Sequence, residues 1–308
     1  GANKNGKRTA LIYLMNDLFG LILWSVIFYT VNAVVHFEFM DMIMTPVTIA
    51  ALNTVFRVAT VVVLFPFIPK LEKLVSYLVK DSAEELEDEA DFDLLEERLI
   101  NYPALAIGQC HRAMNGMSKK LRKNVNRAMN LLNDYQQDKY DKVQRKEDLI
   151  DKYESRLGDY LIKLTKHEMN TAQTRQVSLY LHTINDFERI GDHGETLAKK
   201  VRMIYEDNVK FSDEAKAELH TLGQMVLEAS GKALEALEKD DKKLAEEAWA
   251  LCRQVKQYQK EIRKNHIVRL NEKRCDPVAG FVMLELLINM KRVSDHSKNI
   301  SQLVLGIF

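Results

Sequence analysis

The chain has 308 residues, and its 44 Lys and Arg balance 44 Asp and Glu, so no overall basic field exists to hold a nucleic acid. With 12 Gly and 5 Pro, long low-complexity tracts and turn-rich β-sandwiches are excluded. Cys110, Cys252 and Cys275 lie too far apart for a disulfide framework or a zinc motif, and they suit a reducing compartment.

The balanced charge conceals a division. Residues 1–80 carry seven basic and four acidic side chains and are otherwise mostly apolar, whereas the remainder is rich in charge. Residues 18–35 form an uncharged run of 18, which at about 1.5 Å per residue approaches the thickness of a bilayer core. Residues 42–69 form a second run of 28, interrupted by one charge, Arg57. Two such runs predict a transmembrane hairpin; the competing reading is a pair of buried helices in a soluble core.

Lys4, Lys7 and Arg8 precede the first span, Lys70, Lys73 and Lys80 follow the second, and the loop between them holds Glu38 and Asp41 without Lys or Arg. That bias places both ends in the cytoplasm. Two spans after Gly1 do not fit a cleaved signal peptide. Within the second span, Asn53, Thr54 and Thr60 share a helical face with Arg57. A polar face at this depth is either the lining of a transport path or an interhelical contact.

Residues 81–97 hold ten acidic residues and no basic one, as a solvated linker or charged helix start would. The expected domains are 1–80, an acidic linker over 81–102, and 103–308. Beyond it, apolar residues recur at three and four, as at Leu157, Leu161 and Leu164, and the spacing predicts helices over 103–138, 140–168, 172–207, 212–238, 240–272 and 277–306.

A repeat runs through them. DFERIGDHGETLAKKV (186–201) aligns with NMKRVSDHSKNISQLV (289–304), matching Arg189 with Arg292, Asp192 with Asp295 and His193 with His296. Two related three-helix units are expected. The two histidines read as partners across the bundle rather than ligands. The fold class expected is therefore all-α: a two-helix transmembrane hairpin followed by a six-helix bundle of two repeats.

Glu147 and Asp151 in KEDLIDKYE, and Glu188 and Asp192 in FERIGDH, stand four apart, so each pair leaves one face of its helix. Neighbouring helices could bring the four together as oxygen ligands for iron, manganese or magnesium. The plainer reading is chance, since 29% of the chain is charged. No nucleophile beside a base and no glycine-rich nucleotide lid occurs, so no catalytic residue is assigned. His167–Thr171 matches the H-E-x-x-T pattern of histidine-kinase dimerisation helices, which keeps a membrane-anchored signalling or sensor protein as the alternative.

DFERIGDHGETLA resembles the hallmark helix of the PhoU-like family of phosphate-transport regulators, and KEDLIDKYE its other recurring motif. The resemblance implies a duplicated six-helix bundle and binding of a divalent or ferric ion (Fe, Mn, Mg or Zn) through Glu147, Asp151, Glu188 and Asp192. GANKNGKRTALIYLMNDLFG, IAALNTVFRVATVVVLFPFIPKLEKLV and DFDLLEERLINYPALAIGQCHRAMNGM resemble, in that order, parts of bacterial sodium/phosphate cotransporter-family proteins. That resemblance implies sodium-coupled transport of inorganic phosphate, an inner-membrane location with a cytoplasmic bundle, and further transporter membrane segments and a second copy of the chain as partners. The family's Gln-Ser-Ser motifs do not occur here, so the chain resembles the C-terminal portion of such a transporter. The last-helix His and Asn of the family correspond to Asn53 and Arg57. In the second repeat Lys291 replaces Glu188 and Lys256 replaces Asp151, while Asp295 remains, so a second metal cluster is not expected and Lys291 is placed to neutralise Asp295.

Overall fold

The computed structural model describes residues 4–37, 43–78 and 95–307. Glu38, Asp41, Lys80 and the acidic stretch 81–94 lie outside them. The chain divides into two compact units, Gly1–Leu86 and Glu87–Phe308. Among the described residues both are helical and contain no strand.

In the first unit α1 spans Lys4–Val35, α2 Pro46–Leu64 and α3 Ile68–Leu78. Helix α2 opens on Thr45, whose hydroxyl accepts the Thr48 N–H at 3.3 Å, with Pro46 in the first turn, where its missing N–H costs nothing. The expected continuous run over 42–69 is interrupted. Pro66 and Pro69 withhold two backbone donors, and residues Phe65–Phe67 tighten into a 3₁₀ turn between α2 and α3. Arg8–Val35 and Pro46–Val75, 28 and 30 residues long, are sufficient in length and apolarity to cross a bilayer, and only 6% of each is buried in its most apolar stretch. Their large apolar side chains, such as Leu18, Val26, Val58 and Val62, face outward.

The two helices meet at a small-residue contact. A Cβ on Gly20 would lie 2.9 Å from Thr60 Cγ2, so α1 and α2 approach there only because glycine has none. One turn on, Trp24 Nε1 donates to Thr60 Oγ1 at 2.7 Å, and the Trp24 and Phe56 rings sit 5.7 Å apart.

The second unit begins with a 3₁₀ turn, Glu97–Asn101, followed by α4 (Pro103–Asn130), α5 (Gln137–Leu164), α6 (Thr171–Glu206), α7 (Asp213–Lys239), α8 (Lys242–Asn271) and α9 (Pro277–Leu305). Starts are capped as their residues dictate: a capping box of Asn170 and Gln173 opens α6, and Ser212, Asp241 and Asp276 accept first-turn amides of α7, α8 and α9. The expectation of a helix to 138 is corrected. Asn130 ends α4, because Leu131 turns inward (1% exposed) and the amides of Asn133 and Asp134 bond back to Asn130 O at 3.1 and 3.2 Å. This reversal contains neither Gly nor Pro.

Helices α4, α5 and α6 pack on one another, as do α7, α8 and α9; α4 against α7 and α6 against α9 join the two triplets. Their shared core includes Met117, Leu121, Tyr153, Leu157, Phe187, Ile190, Val226, Leu286, Met290 and Val293, each 2% exposed or less. Burial of this much apolar surface is what makes the amphipathic faces helical rather than their local propensity alone.

Candidate metal centre

Helices α5 and α6 run side by side in the first triplet and bring three of the four carboxylates together. Glu147, Asp151 and Asp192 converge, with one carboxylate oxygen from each lying within 4.8 Å of the others. The approach depends on Gly191. A Cβ at that position would stand 2.6 and 2.8 Å from the two Glu147 carboxylate oxygens, so glycine is what admits the Glu147 head between the helices.

Glu147 is 4% exposed, and neither carboxylate oxygen finds a hydrogen-bond partner among the described residues. Burial, then the charges of Asp151, Asp192, Glu195 and Glu188, push its carboxyl up to about 8. Asp151 is raised as well, by desolvation and by Asp192. A buried, unpartnered carboxylate beside two others is costly to ionise without a counter-charge. The residues present therefore fit a cation. An all-oxygen donor set suits magnesium, manganese or iron better than zinc.

Glu188, the fourth expected ligand, stands outside the converging three. Burial, followed by the Asp192 charge, raises it to about 7. Arg189 spans both, 3.4 Å from Glu188 and 3.7 Å from Asp192. Gly191 was not singled out in the sequence, although a glycine amid a long helical pattern is the signal that could have found it.

The histidines face the other triplet. His193 Nδ1 donates to Asn289 Oδ1 at 2.9 Å, His296 Nδ1 donates to Asp186 Oδ1 at 2.7 Å, and the two rings stack 5.8 Å apart. His167 lies in the turn after α5, its amide bonded to Leu164 O at 3.1 Å, so the H-E-x-x-T pattern does not sit on a helix as the kinase comparison requires.

In the first unit, Asn53 and Arg57 line a groove of about 520 Å³ between α1 and α2, together with Asn16, Asp17 and Thr60. Arg57 Nη2 is 3.9 Å from Asp17 Oδ2. Thr54, three residues before Arg57 on α2, is absent from the groove lining, and its hydroxyl donates to Ala50 O of its own helix at 2.9 Å.

An internally duplicated, all-helical bundle with a carboxylate-lined seam in its first repeat is the class that fold and site define. The PhoU domain model matches residues 114–201 and 219–304, one match in each triplet and together more than half the chain, so the chain belongs to the PhoU domain family. It is similar to the Phosphate-specific transport system accessory protein PhoU homolog 1 of Thermotoga maritima, 26% identical over 167 residues that cover 54% of this chain and 71% of the relative. To the Pseudomonas aeruginosa accessory protein PhoU homolog it is 26% identical over 201 residues, 63% and 78% of the two chains. The crystal structure of PhoU from Pseudomonas aeruginosa matches at a TM-score of 0.59 with 22% identity, covering 67% of this chain and 97% of that one. The phosphate transport system regulatory protein PhoU from Streptococcus pneumoniae matches at 0.59 with 19% identity, covering 67% and 96%.

Proposed function

We propose that this chain is the C-terminal part of a bacterial sodium-dependent inorganic phosphate transporter, with α1 and α2 in the inner membrane and the PhoU bundle in the cytoplasm as its regulatory part. One observation carries the reading: a PhoU bundle continues, in one polypeptide, from two bilayer-length helices whose apolar side chains face outward. The basic residues at both outer ends and the names of the PhoU relatives support it. On this reading the domains are 1–80, the acidic linker 81–102 and the bundle 103–308, and sodium and inorganic phosphate belong to the whole transporter. The remaining membrane segments and the lipid cover the outward faces of α1 and α2, and a second copy of the chain is a further partner.

Glu147, Asp151 and Asp192, with Glu188 beside Asp192, would hold a divalent or ferric ion in the bundle. Such an ion supplies positive charge to a seam of carboxylates. Asn53 and Arg57 would face the transport path.

The test is phosphate uptake by cells carrying the parent transporter, with sodium or choline outside, compared with the same protein lacking residues 95–308. Sodium-dependent uptake whose response to external phosphate disappears with the bundle is expected. Uptake and response unchanged by the deletion would refute the regulatory role. Absence of sodium-dependent flux would favour the membrane-anchored sensor.

A further inference from the structure

The α8–α9 seam of the second triplet repeats the geometry of α5–α6 with different chemistry. Val143, Ile150 and Leu157 of α5 correspond in register to Ala248, Val255 and Ile262 of α8, all buried. On that register Cys252 stands where Glu147 does, and Ser294 where Gly191 does. The structure supports the correspondence: Gly191 lies against the Glu147 carboxyl, and the Ser294 hydroxyl lies against the Cys252 thiol. Cys252 is 5% exposed, and burial pushes its thiol up to about 11, so it contributes no charge. The remaining carboxylate, Asp295, is bonded by the Lys291 ammonium one turn earlier on α9. Lys291 stands at the Glu188 position.

We propose that a bound cation controls only one half of this bundle: the α5–α6 seam requires one to pair its carboxylates, whereas the Lys291 ammonium permanently supplies that charge in the α8–α9 seam. The proposal rests on the metal reading of Glu147, Asp151 and Asp192 and goes beyond it. Loss of the cation loosens α5 against α6 and leaves α8 against α9 as it was. The two triplets then respond unequally to one signal.

Amide hydrogen exchange of the full chain in detergent, with manganese chloride or with EDTA, tests this. Chelation is expected to speed exchange at least tenfold in residues 137–206 and to leave 242–305 unchanged. Bound manganese is expected to vanish in Glu147→Gln/Asp192→Asn and to be unaffected by Asp295→Asn. Manganese binding with equal chelation sensitivity in both segments, or manganese lost in Asp295→Asn, overturns the asymmetry while leaving the first centre in place. No manganese uptake by the wild-type chain removes the metal reading and the asymmetry together. In Cys252→Glu/Lys256→Asp/Lys291→Glu/Ser294→Gly, which installs the first-repeat residues at all four differing positions, a roughly doubled manganese content with new chelation sensitivity over 242–305 is expected; a folded variant without that gain overturns the role given to these positions.

Discussion

Asp186 on α6 accepts a hydrogen bond from His296 on α9 at 2.7 Å, and the repeat-related positions, Asn289 and His193, make the reciprocal bond at 2.9 Å. The two ties therefore obey the internal two-fold relation of the bundle, with an aspartate on one side and an asparagine on the other. Asp186 also accepts from Asn299 Nδ2 at 3.0 Å and is 8% exposed. These residues thus make a paired polar contact between the triplets beside an apolar core.

Asp186→Ala is expected to cost about 1–3 kcal/mol, because it leaves the His296 and Asn299 donors without their acceptor. Asp186→Asn copies the partner side and should cost less than about 1 kcal/mol. Chemical denaturation of both variants, with a double-mutant cycle through His296→Ala, measures the difference. Equal losses for the two substitutions would contradict the pairing.

Glu147 makes stability depend on pH in a known direction. Its carboxyl lies at about 8 in the folded chain against 4.5 for an unperturbed group. The folded state therefore binds the proton more tightly than the unfolded state. Its favourable contribution is complete below the unfolded value and is lost as pH rises through about 8, a change on the order of a few kcal/mol. Thermal melts in EDTA should show the melting temperature falling between pH 5 and pH 8, and manganese should restore it. Glu147→Gln should flatten the chelated profile and abolish the manganese effect.

Gly191→Ala puts a methyl group 2.6 Å from a Glu147 oxygen. The Glu147 carboxyl must move from its place beside Asp151 and Asp192. A loss of about 1–3 kcal/mol is expected from overpacking, with at least a tenfold drop in manganese affinity. Differential scanning fluorimetry and a manganese titration separate the two effects.

Thr60→Val removes the acceptor of Trp24 Nε1 without changing side-chain volume much. Interhelical bonds of this kind are worth about 0.6–1.7 kcal/mol in apolar surroundings. Trp24 fluorescence in a Trp249→Phe background should report a lower midpoint for the α1–α2 pair in detergent. Gly20→Leu should be worse, since the side chain would occupy the space of Thr60.

Helix identity was legible because it is a local property. Five of the six bundle helices begin and end within four residues of their predicted limits, their ends marked by Asn170, Ser212, Asp241 and Asp276 caps. The end of α4 was not legible, because the reversal at Leu131 is driven by burial and carries no turn residue of the usual kind before Asn133. Likewise, the break at Phe65 follows from prolines that an apolar run of residues obscures.

Periodicity, the uncharged runs and the 103-residue offset between the two histidine segments are properties of neighbours along the chain, and they were sufficient to determine an all-helical, duplicated architecture with two bilayer-length helices. Which carboxylates meet is decided across helices. Spacing places Glu188 and Asp192 equally on α6, yet only Asp192 joins Glu147 and Asp151 once the packing of α5 on α6 fixes their register, and Gly191 leaves the room that the Glu147 carboxyl occupies. That register belongs to the packed core, and no spacing along a single helix contains it.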